Sequence, residues 1–562
     1  MDENKIKKTE IKSFWKEHKK AIFILLGTWG LYFFTLWPRI ISIKPDGLYL
    51  GHVNVWSDWA LHIGLASIFA YKNPQFWFSY HPMYAGGQLI YGFLTDFISG
   101  MLMRLGVSIP SAFIIPSIIF TILLLIGMYL FLYLVLKSKR GAFLAIFLFF
   151  LSSGLGFINF IKDFISNPNL NSFLYPAVEY SRLDAYQWGS GNVVVGMLVP
   201  QRAFLLGMTL AIWVLTALIY VFLKEQPGNK SDKIILVVSG IFAGLLPITH
   251  MHSFIVLVVL SGIFCLSLIK KWKLILYYAV PAALVSAIFY LKFIYGGIEN
   301  LAQFFTWFPG WTIKGGVLNW INGWFYLWGA MIPLAVFGWF ILRKKKPLSI
   351  QMLFLGFFLL FIFANLILIQ PIPWDNSKIF LWVYFGFSVL AVYSFSWCWQ
   401  RNAFWKILTI ILFFTLTMTG FLELIRLQRI DRNRILETST DDIGLGLQIR
   451  ENTDPLAVFL TEPSHNHLIM VWGNRPILMG YTAWVWNYGF NYQQRERDIY
   501  TMFQGGQSAE ELLGKYRVSY VAIGPGELYT MRANENYFSS NFPIAFQNKN
   551  YRIYDVRKLW LQ

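Results

Sequence analysis

Runs of about 20 apolar residues recur through the first three quarters of this chain, and they restrict its fold more than any other feature. Each run can carry one helix across ~30 Å of hydrocarbon. Inside a bilayer every backbone N–H and C=O needs an internal partner, which a helix supplies. A soluble fold could not hide this much apolar surface: 56% of the 562 residues are hydrophobic and only 14% are charged. The sequence therefore reads as a polytopic α-helical membrane protein.

Charge sets the expected orientation. The net charge of +18 is not arranged as a basic stripe interleaved with aromatics, so nucleic acid is not the expected partner. Basic residues instead cluster between apolar runs: in the arm of residues 1–20, in Lys137 to Arg140, in Lys224, Lys230 and Lys233, in Lys270 to Lys273, in Arg343 to Lys346, and in Arg401 with Lys406. Such clusters mark the cytoplasmic side. With all six inside, the first apolar run (about 21–37) is a retained helix rather than a removed signal peptide. Further spans are expected near 110–136, 141–161, 198–223, 233–250, 253–269, 274–295, 321–342, 349–369, 379–398 and 403–424. That makes about eleven spans at the cell membrane, with the N-terminus cytoplasmic and the C-terminus extracytoplasmic. Residues 88–105 would invert the later clusters if they crossed, and they carry Asp96 and Arg104, so they are expected to lie flat or re-entrant. The two cysteines, Cys265 and Cys398, both in expected helices, say nothing of a disulfide framework and exclude a Cys-rich metal site.

This topology gives the outer side a first loop (38–110), a second (about 162–195), a third (296–319) and the short turn 370–378. From 425 to 562 charge rises. Strand-like AVFLTE, PILMGY and VSYVAIG alternate with helical QQRERDIYTMF and SAEELLGKY, predicting a small extracytoplasmic α/β domain. The membrane module is then residues 21–424.

Candidate chemistry gathers on the outer side. Asp58, in WSDWALHIG with His62, follows the first span by about 20 residues and opens a stretch read as amphipathic and membrane-lying. A carboxylate there can meet a headgroup-level substrate as a general base, or cap a helix. His81, in SYHPMYAGGQ, suits a phosphate or metal contact, or a structural hydrogen bond. Pro200 places Arg202 near a helix N-terminus, a favourable place for an anion. His250 and His252 occupy a tight turn. Asp375, Asn376 and Lys378 crowd another, where Asx chemistry or phosphate pairing would each serve. Arg182 and Asp184 add a charge pair in the second outer loop. The expected spans are nearly free of ionisable groups, unlike a transport path.

This order of features resembles the GT-C fold of membrane glycosyltransferases that use polyprenyl-phosphate sugars, such as protein O-mannosyltransferases and the aminoarabinose transferase of lipid A. The resemblance runs from about 21 to 200. Asp58 matches the family's first-loop acid, and HPMYAGG matches its His/Lys-Pro-Pro loop, with Met83 at the second proline. Residues 88–105 would be a juxtamembrane helix, and Asp184 falls near a further family acid.

The resemblance implies a glycosyltransferase acting at the outer leaflet, with Asp58 as base. The donor phosphate would rest on Arg202 and Lys378, helped by His81 or His250. His62, Arg182, Asp184 and Asp375 would support the site, and a divalent cation is an open possibility. The implied partners are a polyprenyl-phosphate sugar, a glycan, lipid or protein acceptor, and membrane lipids. A lipid or glycan translocase and a non-catalytic membrane scaffold remain the alternatives.

Overall fold

The computed structural model describes residues 16–90, 92–186, 188 and 191–561. Among them eight helices are long and apolar enough to cross a membrane: Lys16–Ile40, Ile109–Leu136, Arg202–Phe222, Lys230–Ile248, Ile269–Phe293, Leu348–Leu366, Pro373–Trp399 and Ala403–Gln428. The protein is a multi-pass membrane protein. Most of the basic arm expected over 1–20 lies outside the described residues.

The other three expected spans are helical but irregular. The stretch near 321–342 is two helices, Val317–Trp328 and Met331–Lys345, bent by 85° where Gly329 adopts a φ of +56°. Counted as one, the pair makes a ninth span. The stretch near 141–161 is a 12-residue helix, Lys139–Phe150, which reaches only about 18 Å. It stops because Asn192 donates to the carbonyls of Phe150 and Ser152, both at 2.8 Å, relieving that end of helical partners. A separate helix, Phe157–Ser166, follows. Near 253–269 the helix is Met251–Leu266, 16 residues long. Residues 88–105 supply only the 11-residue helix Leu94–Arg104, about 16 Å and too short to span.

The first outer loop folds into protein, not onto a bilayer surface. Its hairpin, Ile41–Lys44 with Gly47–Leu50, takes Ile435–Ser439 as a third antiparallel strand. The helix Val53–Tyr71 then begins at His52, whose side chain accepts from the Asn54 N–H. Asp58 is therefore inside the helix and not its cap. Trp59 to Ala70 are buried on every face, which corrects the expected amphipathic, membrane-lying helix. Leu94–Arg104 packs closely on it: a Cβ at Gly100 would stand 2.6 Å from the Ala66 carbonyl oxygen.

Residues 425–562 are α/β as their pattern predicts. Val458–Leu460 runs parallel to Val518–Ile523, and Arg552–Asp555 and Ile544–Gln547 extend that sheet antiparallel. The helices Gln493–Gln504 and Gln507–Lys515 lie in the connection. PILMGY is no ladder strand. It bridges Phe459 of the sheet and also pairs with the first loop, through Ile477 N–H to Pro82 O (3.1 Å), Gly480 N–H to Met83 O (2.8 Å) and Ala85 N–H to Ile477 O (3.1 Å).

Candidate functional site

A cavity of about 480 Å³ opens where the first outer loop, the turns at 247–252 and 370–378, and the C-terminal region meet. Asp58, His250, His252, Asp375, Lys378 and His465 all line it. The segments that carry them are far apart in sequence, and only packing brings the segments together.

Asp58 heads a buried chain of charge. Its Oδ2 is 3.4 Å from His62 Nε2, one turn along the helix. His62 Nδ1 is 2.8 Å from Asp96 Oδ2, and Asp96 Oδ1 is 3.6 Å from Arg202 Nη1. Burial pushes the His62 pKa down, but the Asp96 and Asp58 carboxylates outweigh it and raise it to about 10. An imidazole between two carboxylates is held as a cation. That cation faces the Asp58 carboxyl group at the cavity wall.

Arg202 does not reach the cavity, which corrects its expected place on a phosphate. It is fully buried. Its guanidinium lies 4.3 Å from the Phe113 ring centroid and donates to Ser99 Oγ (2.5 Å), Ser117 Oγ (3.3 Å) and Thr95 O (3.4 Å). The helix N-terminus was read correctly, but the side chain turns inward, where Asp96 is its counter-ion. His81 is displaced for a similar reason. It is fully buried under Tyr488 and Phe490 because its loop docks on PILMGY. Its Nδ1 accepts from the Met83 N–H, and burial lowers its pKa to about 3. His81 is a turn residue away from the cavity lining.

The 370–378 turn divides its labour. Asn376 makes the Asx contacts, accepting from the N–H groups of Ile369 (2.6 Å) and Gln370 (3.2 Å). Asp375 and Lys378 face the cavity as an ion pair of 2.6 Å, with Asn487 donating to the other Asp375 oxygen at 2.7 Å. An ammonium has three donors, so one contact to Asp375 leaves capacity for a ligand. His250 caps the helix Met251–Leu266, and its Nδ1 accepts from the Ser253 N–H. Burial, then His252 and Lys378, drive its pKa well below the ordinary histidine value. A neutral ring whose Nδ1 accepts carries its proton on Nε2, here a donor at the cavity.

Arg182 is exposed, outside the lining, beside Glu179. Glu179 itself pairs with His52 at 3.0 Å. Asp184 opens the turn Asp184–Tyr186, and its side chain lies outside what is described.

Sequence reading missed the C-terminal wall: His465, Tyr481, Trp484, Asn487 and Tyr488. The aromatic run YTAWVWNYGF was its one visible signal. His465 packs edge-on against Trp56 at 4.5 Å. Burial lowers its pKa to about 4 against the pull of Asp58.

Five buried polar atoms on lining residues have no hydrogen-bond partner among the described residues: Trp56 Nε1, His250 Nε2, His252 Nε2, Gln370 Oε1 and His465 Nε2. Each such atom costs roughly 1–3 kcal/mol. Concentrating them in one cavity marks a place built to receive polar groups. No cluster of three or more His, Cys, Asp or Glu among the described residues is arranged to hold a metal ion. Of the carboxyl groups at the cavity, Asp375 contacts Lys378 and Asn487, and Asp58 contacts His62.

The chain has the GT-C fold of membrane glycosyltransferases. Solved structures that it resembles include those of the Archaeoglobus fulgidus oligosaccharyltransferase AglB. One is a complex with an inhibitory peptide and a dolichol-phosphate, 12% identical over 92% of this chain and 70% of that one, with a TM-score of 0.52. Another is a complex with Zn and sulfate, 13% identical over 91% and 69%, with a TM-score of 0.53. ArnT from Cupriavidus metallidurans bound to undecaprenyl phosphate aligns at 10% identity over 98% and 99%, with a TM-score of 0.49, too low to bear on the fold. No protein-family profile and no curated protein sequence matches the chain.

Proposed function

We propose that this protein transfers a sugar from a polyprenyl-phosphate carrier to an acceptor hydroxyl at the outer membrane face. The carrying observation is that Asp58 and Lys378 line one cavity in which His250 Nε2, His252 Nε2 and His465 Nε2 have no hydrogen-bond partner among the described residues. Support comes also from the GT-C fold and from a neighbour solved with dolichol-phosphate.

Asp58 takes the acceptor O–H proton as that oxygen attacks the anomeric carbon. The bond from the anomeric carbon to the phosphate oxygen breaks, and its electron pair leaves with the phosphate. Lys378 Nζ and the His250 Nε2–H stabilise the charge that grows there. Attack on the face opposite the phosphate inverts the anomeric configuration. Trp374, Trp484 and Tyr488 offer ring faces to the sugar, and the C-terminal region, which closes the cavity, receives a glycan, lipid or protein acceptor. The N-terminus is cytoplasmic and the region from 425 extracytoplasmic, which impermeant labelling of intact cells checks. A translocase needs a polar path through the bundle. This polar cavity instead sits at one end of the long helices.

The test is transfer of labelled sugar from lipid carrier by Asp58→Asn. Turnover should fall at least 100-fold, within the range of general base catalysis. Wild-type turnover would remove Asp58 from the mechanism.

A further inference from the structure

A second cavity, about 730 Å³, lies at the far end of the helix that begins beside Lys378. That helix, Ser377–Trp399, has 23 residues and is about 34 Å long. Trp399 and Gln400 line the second cavity, so a hydrocarbon core of ~30 Å separates it from Lys378. Its wall is apolar, built from residues such as Leu144, Val392 and Phe413, and its rim carries Arg140, Lys345 and Lys346. No lining residue is acidic. Among the described residues none of these three cations is paired with a carboxylate.

We propose that this cavity binds one anionic glycerophospholipid, its phosphate held by Arg140, Lys345 and Lys346 and an acyl chain lying along the apolar wall. Lys346 is half-buried beside the exposed Arg140 and Lys345, and like charge gathered there is unfavourable until an anion neutralises it. Burial, and then Lys137 and Lys345, hold the Lys346 pKa below the ordinary lysine value. The helix Lys139–Phe150 presents its N-terminal end here through Gly141, which adds positive potential. A general excess of basic residues would orient the chain without a cavity. What distinguishes this site is a lipid-sized apolar recess directly beneath three cations that have no carboxylate partner among the described residues. A zwitterionic headgroup would bring an ammonium to the same rim and is disfavoured.

The full-length protein in detergent is incubated with phosphatidylglycerol or phosphatidylcholine, and retained lipid is counted by native mass spectrometry. Phosphatidylglycerol should be retained about 10-fold better, the order of one charge-assisted contact. The variant R140Q/K345Q/K346Q should lose that preference, while K270Q/K271Q/K273Q, in a basic cluster outside the cavity, and K378Q, in the other cavity, should keep it. Leu144→Trp fills the recess without touching charge and should also release the lipid, so the outcome does not hang on one variant folding. Millimolar inorganic phosphate should not displace the lipid, because a headgroup alone leaves the apolar wall empty. Equal retention of both lipids, retention by both cavity variants, equal loss in the control cluster, or displacement by phosphate would each overturn the proposal.

Discussion

Asp58 and His62 stand one helical turn apart, with the carboxylate oxygen 3.4 Å from an imidazole whose other nitrogen is 2.8 Å from Asp96. The imidazole thus joins a cavity-facing carboxylate to a fully buried one. It turns two acids that would repel each other into a single neutralised unit with Arg202 at its end.

The first prediction concerns pH. The His62 pKa rises on folding from about 6.5 to about 10, so its contribution to stability is complete below about 6.5 and is lost as pH rises through about 10. Melting temperature should therefore fall across that window in the wild type. His62→Gln should lower stability at neutral pH and flatten the alkaline fall. Unfolding followed by intrinsic fluorescence between pH 6 and 11 measures both, and an unchanged alkaline slope would refute the cation.

Arg202 should behave as a structural ion. Removing one partner of a buried pair costs about 3–5 kcal/mol, so Arg202→Gln and Asp96→Asn should each lower the melting temperature markedly. Their combination should cost less than the sum of the two. The donor KM of any folded fraction should be little changed. A large rise in KM with unaltered melting would return Arg202 to the phosphate.

Lys378→Gln should weaken handling of the carrier phosphate. A hydrogen bond to a charged group is worth about 1.5–3 kcal/mol, so kcat/KM for the lipid-linked donor should fall about 10- to 100-fold. Asp375→Asn frees the ammonium of its internal partner and should tighten binding of undecaprenyl phosphate, measured by competition. Identical affinities in all three proteins would exclude Lys378 from the phosphate site.

His465 responds to acid. Its pKa is depressed on folding to about 4, so its stabilising contribution is present above about 6.5 and lost as pH falls through about 4. His465→Phe should keep the aromatic packing on Trp56 and reduce the acid sensitivity of melting between those values. It should also lower transfer activity by removing a polar atom from the cavity. Unaltered activity would make His465 a wall residue only.

Much of the membrane module was legible because hydropathy is additive along a chain: a 20-residue window of Leu, Ile, Phe and Val is a helix wherever it packs. All eleven expected segments contain helix. The departures arise where a distant side chain intervenes. Asn192 ends the helix at Phe150 by bonding its carbonyls, which no local pattern announces. The surface reading of Val53–Tyr71 failed because its apolar residues do not lie on one face, and the structure covers all of them.

Residue type and spacing alone located Asp58, His250, Asp375 and Lys378 at the ends of helices, the places where charge can exist beside lipid. They could not say which charged side chains would point into a shared space. Arg202 and Lys378 each stand in the first turn of a long apolar helix, yet one is swallowed by Asp96 and Phe113 and the other faces a cavity. That choice depends on counter-ions: Asp96, 106 residues from Arg202, is brought close only by packing, whereas Asp375 lies 3 residues from Lys378 in the same turn. The fold class followed from the free energy of apolar surface in water, a sum over local stretches. The site is a property of convergence, and the tertiary structure alone decided it.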